Sequence, residues 1–156
     1  MTRSDRMQPI KKLADTRERD AGSVVAEAQK KLQECERKLA QLQQYREEYV
    51  ASNGDLLHTL DTLRMQNYRA FLQRLADAIR QQEQAARAAR EDYERKREAW
   101  RERRVEAKSL GRAIENLQTE ERKEEAHREQ IRMDEQAAAQ RRSRELANES
   151  GTWKIR

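Results

Sequence analysis

One cysteine, one proline and four glycines leave this 156-residue chain almost nothing with which to build staples, tight turns or strained loops. The lone Cys35 excludes an internal disulfide framework. Aromatic residues make up 4% and hydrophobic residues 35%, too little apolar surface for an ordinary globular core. No apolar run approaches the roughly 20 residues that a bilayer crossing needs, and no charged-then-apolar leader opens the sequence. A cytoplasmic location is therefore expected, without membrane insertion.

The equipment of catalysis is missing as well. No G-x-x-x-x-G-K-[ST] occurs, so no P-loop for ATP is encoded. His58 and His127 are far apart, with no second ligand at a metal spacing. Cys35 has no histidine near it in sequence and falls on an apolar seam, where an inert thiol is expected. Carboxylates alternate with Lys and Arg in the manner of solvated faces. The expectation is a non-enzymatic protein without cofactor or metal.

What the chain does have is charge and helix formers. Charged residues reach 40%, with 34 basic against 29 acidic giving a net +5. Low hydropathy with high charge is also the mark of disorder, but Ala, Glu, Arg, Gln, Lys and Leu dominate and the two signs are mixed. Long helices follow. Acids interrupt nearly every basic cluster, which argues against a nucleic-acid or ribosome binder needing a one-signed stripe.

Heptads appear in two places. Val25, Leu32 and Leu39 share one position, with Ala21, Ala28, Cys35, Leu42 and Tyr49 at the other. Upstream, Ile10, Leu13 and Val24 stand in another phase, which predicts a slip near residues 20–22. A second register places Leu72, Ile79, Ala86, Tyr93, Trp100, Ala107 and Ile114 at one position, and Leu75, Gln82, Ala89, Lys96, Arg103, Leu110 and Leu117 at the other. Between them, Ser52-Asn53-Gly54-Asp55 is the strongest turn signal, with Gly and Asn suited to a left-handed conformation and Asp55 to an N-cap.

The fold expected is all-α: an antiparallel two-helix coiled-coil hairpin with a longer C-terminal helix overhanging the first. Pro9 suits a first helical turn, so helix 1 is placed at about residues 9–50, the turn at 51–56 and helix 2 at 57–148, one domain over 1–148. Residues 149–156 are expected to be a disordered tail, with Trp153 either an accidental exposed aromatic or a short docking element. In that register Ile10 lies beside Trp100, and Leu110, Ile114 and Leu117 continue past the end of helix 1 without a partner. Gly111 marks a soft point near the overhang, since glycine in a helix costs about 1 kcal/mol relative to Ala. Tyr45, Tyr68 and Phe71 fall off the strict seam near the turn, and a narrow two-helix seam cannot hide them all. A protein-docking tip is expected there.

These same residues carry a resemblance. LAQLQQYREEYVASN (39–53), NYRAFLQRLADAIRQQ (67–82), WRERRVEAKSL (100–110) and MDEQAAAQRR (133–142) make the chain resemble FliJ-type flagellar export proteins over about residues 7–145. The resemblance implies a stalk of the type III export apparatus, peripheral to the inner membrane, that inserts the end carrying both termini into the hexameric export ATPase. It implies promotion of ATPase assembly and activity, a link to the transmembrane export gate protein, handling of export chaperones, and so a place in motility and chemotaxis. It implies gate contact by Leu42, Tyr45, Tyr49, Phe71, Leu75 and Ala78, with Lys38 and Gln82 as polar departures. Leu110, Ile114 and Leu117 are assigned to the ATPase ring because of the overhang. A virulence-injectisome stalk and a self-associating coiled-coil scaffold are the rival readings, and the stalk reading expects a monomer.

Overall fold

The computed structural model describes residues 1–54 and 61–152. Two helices account for them, α1 (Arg3–Gly54) and α2 (Thr62–Thr152), packed against each other, with no strand among the described residues. By contact the chain divides into a unit from Leu13 to Ala107, and another of Met1–Lys12 with the chain from Lys108 onward.

α1 starts earlier than Pro9 suggests. Thr2 donates its N–H to Asp5 Oδ2 at 3.0 Å, and Asp5 donates its N–H to Thr2 Oγ1 at 3.2 Å. This reciprocal capping satisfies two of the donors a helix start leaves open. Pro9 consequently lies inside the helix, where it lacks the N–H that would bond the Asp5 carbonyl. α2 is capped by Asp61, whose Oδ1 accepts from the Arg64 N–H at 2.9 Å.

α1 also ends differently. It runs through Gly54, and no described residue has a positive φ. Instead of a left-handed glycine, side chains serve the last turns: Ser52 Oγ donates to the Glu48 carbonyl at 2.6 Å and Asn53 Nδ2 to the Tyr49 carbonyl at 2.9 Å. Residues 51–54 of the expected turn are thus helical, while the expected N-cap at Asp55, the remainder of the turn at 55–56 and the role of Trp153 lie outside the described residues.

In the Leu13–Ala107 unit the two stripes meet antiparallel. Gln82 Nε2 donates to the Cys35 carbonyl at 3.0 Å, and Trp100 Nε1 to Glu18 Oε1 at 3.1 Å. Ala14, Ala28, Tyr68, Leu75, Ile79 and Ala89 are buried, and no large side chain in the described residues is fully enclosed. Burying a Leu or Ile contributes about 1.5–3 kcal/mol and Ala much less, so the core is thin.

The α2 register is as expected: every one of its seam positions is at least half-buried except Arg103, which turns outward to Glu106 at 3.2 Å. Lys96 likewise bends to Asp92 at 2.9 Å. The α1 register corrects the expected slip. Ser4, Lys11, Glu18, Val25, Leu32 and Leu39 hold one seam position without interruption, while Ile10 and Leu13 are 53% and 52% exposed. The frame survives its polar members because each finds a place. Ser4 and Glu18 hydrogen-bond to α2, and the stem of Lys11 lies 3.6 Å from where a Cβ on Gly111 would stand.

In the unit containing Met1–Lys12, Ser4 meets Glu121 and Lys11 meets Gly111. This corrects the expectation that Leu110, Ile114 and Leu117 lack a partner. Ile114 is 4% exposed and the two leucines are half-buried. The reason is the early start of α1: its first turns reach seam positions that a start at Pro9 leaves bare. The open part of α2 begins beyond Glu121, where residues 122–150 are exposed apart from the half-buried Ala137.

Candidate functional site

Two regions gather the candidate residues. At the end of the hairpin where α1 closes and α2 begins, Tyr45 and Tyr49 stand one turn apart on α1, and Tyr68 and Phe71 stand three apart on α2, so each pair shares a helix face. Their rings form one cluster. Tyr49 stacks on Tyr68 with centroids 5.5 Å apart and planes at 16°, and lies 4.5 Å from Phe71. Tyr45 sits edge-on to Phe71 at 6.2 Å, near perpendicular at 80°, and 6.4 Å from Tyr49. Such offset and edge contacts each contribute about 0.5–1.5 kcal/mol beyond burial.

The cluster grades from closed to open. Tyr68 is buried at 9% exposure because it continues the α2 seam one heptad before Leu75, which is itself buried. Tyr49, Phe71, Leu42 and Ala78 are half-buried. Tyr45 is 50% exposed, and Val50 nearby on α1 lines a recess with Gln43, Arg46, Glu47 and Ala51. Of the expected tip residues, Leu75 thus stands behind the surface and Tyr45 forms it. Gln82 faces the α1 backbone across the seam, while Lys38 points to solvent.

The second region surrounds the start of α1. Ser4 donates its N–H to Glu121 Oε1 at 3.0 Å and its hydroxyl to Oε2 at 2.6 Å. Ser4 is the buried polar residue of the described chain, and these bonds are what permit its burial. They hold the Glu121 carboxyl below its ordinary range, the hydroxyl bond contributing most and the backbone N–H next. Asp5 is lowered too, first by the Thr2 backbone N–H and then by its side chain. Leu117 lines a groove here with Met1, Thr2, Arg3, Arg6 and Glu121.

Sequence reading missed Ser4 and Glu121. The available signal was the T-R-S-D run at residues 2–5, which has the spacing of a capping box and places a helix start there. Nothing local pairs Ser4 with Glu121, 117 residues away. Along the bare stretch, Ile131, Met133 and Leu146 are exposed apolar residues among mixed charges.

Among the described residues no group of three or more His, Cys, Asp or Glu could hold a metal ion. No described helix is long and apolar enough to cross a membrane. Cys35 is half-buried and free. Among the described residues the exposed side chains are aromatic at Tyr45, aliphatic at positions such as Val50, Ile131 and Leu146, and otherwise largely charged.

A protein-family model, described as Flagellar FliJ protein, matches residues 3–146. No curated protein and no solved structure matches the chain.

Proposed function

The chain belongs to the FliJ family, a component of the flagellar export apparatus, and from that premise we propose that it acts as the stalk of the export ATPase. In this reading it contributes no chemistry of its own. The aromatic end meets the transmembrane export gate, and the end carrying both termini enters the hexameric ATPase and promotes its assembly and activity. Export chaperones are further partners. The protein works at the inner membrane without entering it.

The observation that best supports this reading is the half-open Tyr45 ring held edge-on by Phe71. Two-helix packing does not require that ring, and a rigid aromatic with few rotatable bonds is the kind of anchor that protein interfaces use. The other support is the long run of α2 beyond Glu121, whose mixed charges suit many weak contacts with a ring lumen rather than one deep site. Because α1 covers Ile114, the ring-facing surface is assigned to residues 122–150, with Leu110, Ile114 and Leu117 beneath it at the covered edge.

The test is a pull-down of the full chain with the flagellar export ATPase and, separately, with the cytoplasmic part of the export gate, reading association and the hydrolysis rate. Association with both, with faster hydrolysis, is expected. Failure to bind either refutes the stalk reading.

A further inference from the structure

We propose that residues 3–8, the first turns of α1, form a latch hinged at Pro9 that covers the Ile114–Leu117 edge and lifts to expose it to the ATPase ring. The inference deepens the stalk reading, because it names how the covered seam becomes available.

The latch is held by polar contacts. Its bonds to α2 gather on Glu121: Ser4 gives its N–H and hydroxyl to the two carboxylate oxygens, and the Arg3 N–H bonds the same carboxylate. Among residues 3–8 the apolar content is a single side chain, the half-buried Met7. The next buried apolar residue on α1 is Ala14. Register places Met7 and Gln8 between the Ser4–Glu121 and Lys11–Gly111 contacts, and hence across from Ile114 and Leu117. Leu117 itself shares a groove with Arg3 and Arg6.

The hinge is covalent in origin. Pro9 lacks an N–H, so one of the backbone bonds that would tie residues 3–8 to the rest of α1 does not exist. A helix end with a missing rung and almost no apolar anchor opens more readily than the seam behind it. What it uncovers is different in kind. Ile114 is 4% exposed and Leu117 is half-buried, so lifting six residues bares an aliphatic edge next to the already exposed residues 122–150. The closed latch thus keeps an adhesive surface out of water until a partner offers a better cover.

Opposed substitutions test this on the full chain. Ser4→Ala removes the hydroxyl bond and loosens the latch; Pro9→Ala restores the missing rung and tightens it. Amide hydrogen exchange at Met7 and Gln8 should quicken roughly fivefold to tenfold in Ser4→Ala and slow in Pro9→Ala, with Ala14 to Ala28 unchanged in both. Association with the hexameric flagellar export ATPase should strengthen in the first variant and weaken in the second. Exchange that moves together along residues 3–28 shows no hinge and overturns the latch. If exchange responds as expected but ring association does not split in opposite directions, the gating role is overturned. A wild-type chain that ignores the ATPase altogether defeats the stalk reading and with it the gating role, while the exchange result still decides whether the latch exists.

Discussion

The indole of Trp100 occupies the space that a side chain at Gly22 would fill. A Cβ at residue 22 would lie 3.3 Å from Nε1, which at the same time donates to Glu18 one turn away, and Arg104 lies over the ring at 5.4 Å. One helix supplies the gap and the acceptor, the other the ring. A slide of one turn would put the indole against a residue with a side chain and take its N–H from Glu18. The contact therefore acts as a register pin in the Leu13–Ala107 unit.

Enlarging the gap residue should displace the pin. Gly22→Val is expected to destabilise the hairpin by about 1–3 kcal/mol through overpacking, although it replaces a poor helix former. Thermal melting by circular dichroism checks the sign, and a red shift of Trp100 emission should accompany it. Unchanged melting would mean that the ring has room to move.

At the aromatic end, exposure separates docking from folding. Tyr45→Ala, which gives up two ring contacts at the rim, should lower the melting temperature by only a few degrees and weaken gate binding about tenfold or more. Tyr68→Ala removes a buried ring that stacks on Tyr49 and should cost about 3 kcal/mol of stability. Phe71→Ala touches both and should show both effects. Calorimetric binding beside melting curves distinguishes them, and a Tyr45→Ala chain that melts as early as Tyr68→Ala would put that ring in the core.

For the ring-facing assignment, Ile131→Lys with Leu146→Lys alters only exposed positions and should reduce stimulation of the ATPase several-fold with helicity retained. Leu110→Lys with Leu117→Lys should abolish stimulation while leaving gate binding intact, and should also lower the melting temperature, because both sites are half-buried. Full stimulation by both double variants would refute the assignment.

Acid should weaken the start of α1. The carboxyls of Glu121 and Asp5 are both lowered by hydrogen bonds made in the fold, so the unfolded chain binds more protons than the folded one as pH falls. Their contribution is complete above the ordinary carboxylate pKa, about 3.9–4.3, and is lost as pH drops through the lower folded values. Melting curves between neutral pH and pH 3 should show the loss, and Glu121→Gln should flatten part of it. Asp92, lowered chiefly by its hydrogen bond from Lys96, titrates in the same direction and remains as the control.

How far the sequence could be read depends on the range of each signal. The α2 seam was legible from Leu72 to Leu117, because a seven-residue repeat is written in side chains a turn or two apart. The α1 seam was legible from Ala21 to Tyr49 for the same reason. It failed upstream, where Ile10, Leu13 and Val24 suggested another phase and the residues in the true frame were Ser4, Lys11 and Glu18. Those polar residues carry no hydrophobic signal, and their partners Glu121, Gly111 and Trp100 are about eighty or more residues away.

The aromatic end shows the same division. Spacing alone put Tyr45 with Tyr49 and Tyr68 with Phe71. Which ring would remain open was not written there, since it depends on how α2 lies against α1. The helix that carries Tyr68 continues its seam backwards to bury that ring, and Tyr45 is left at the rim.

By itself, then, the amino-acid order determined two long helices and most of their facing stripes, both consequences of local propensity and short-range periodicity. The tertiary structure decided where the helices begin relative to each other, which aliphatic residues are covered and which aromatic is free. Those outcomes depend on fits such as Gly22 with Trp100 and Ser4 with Glu121, formed between side chains that become neighbours only when the chain has folded back on itself.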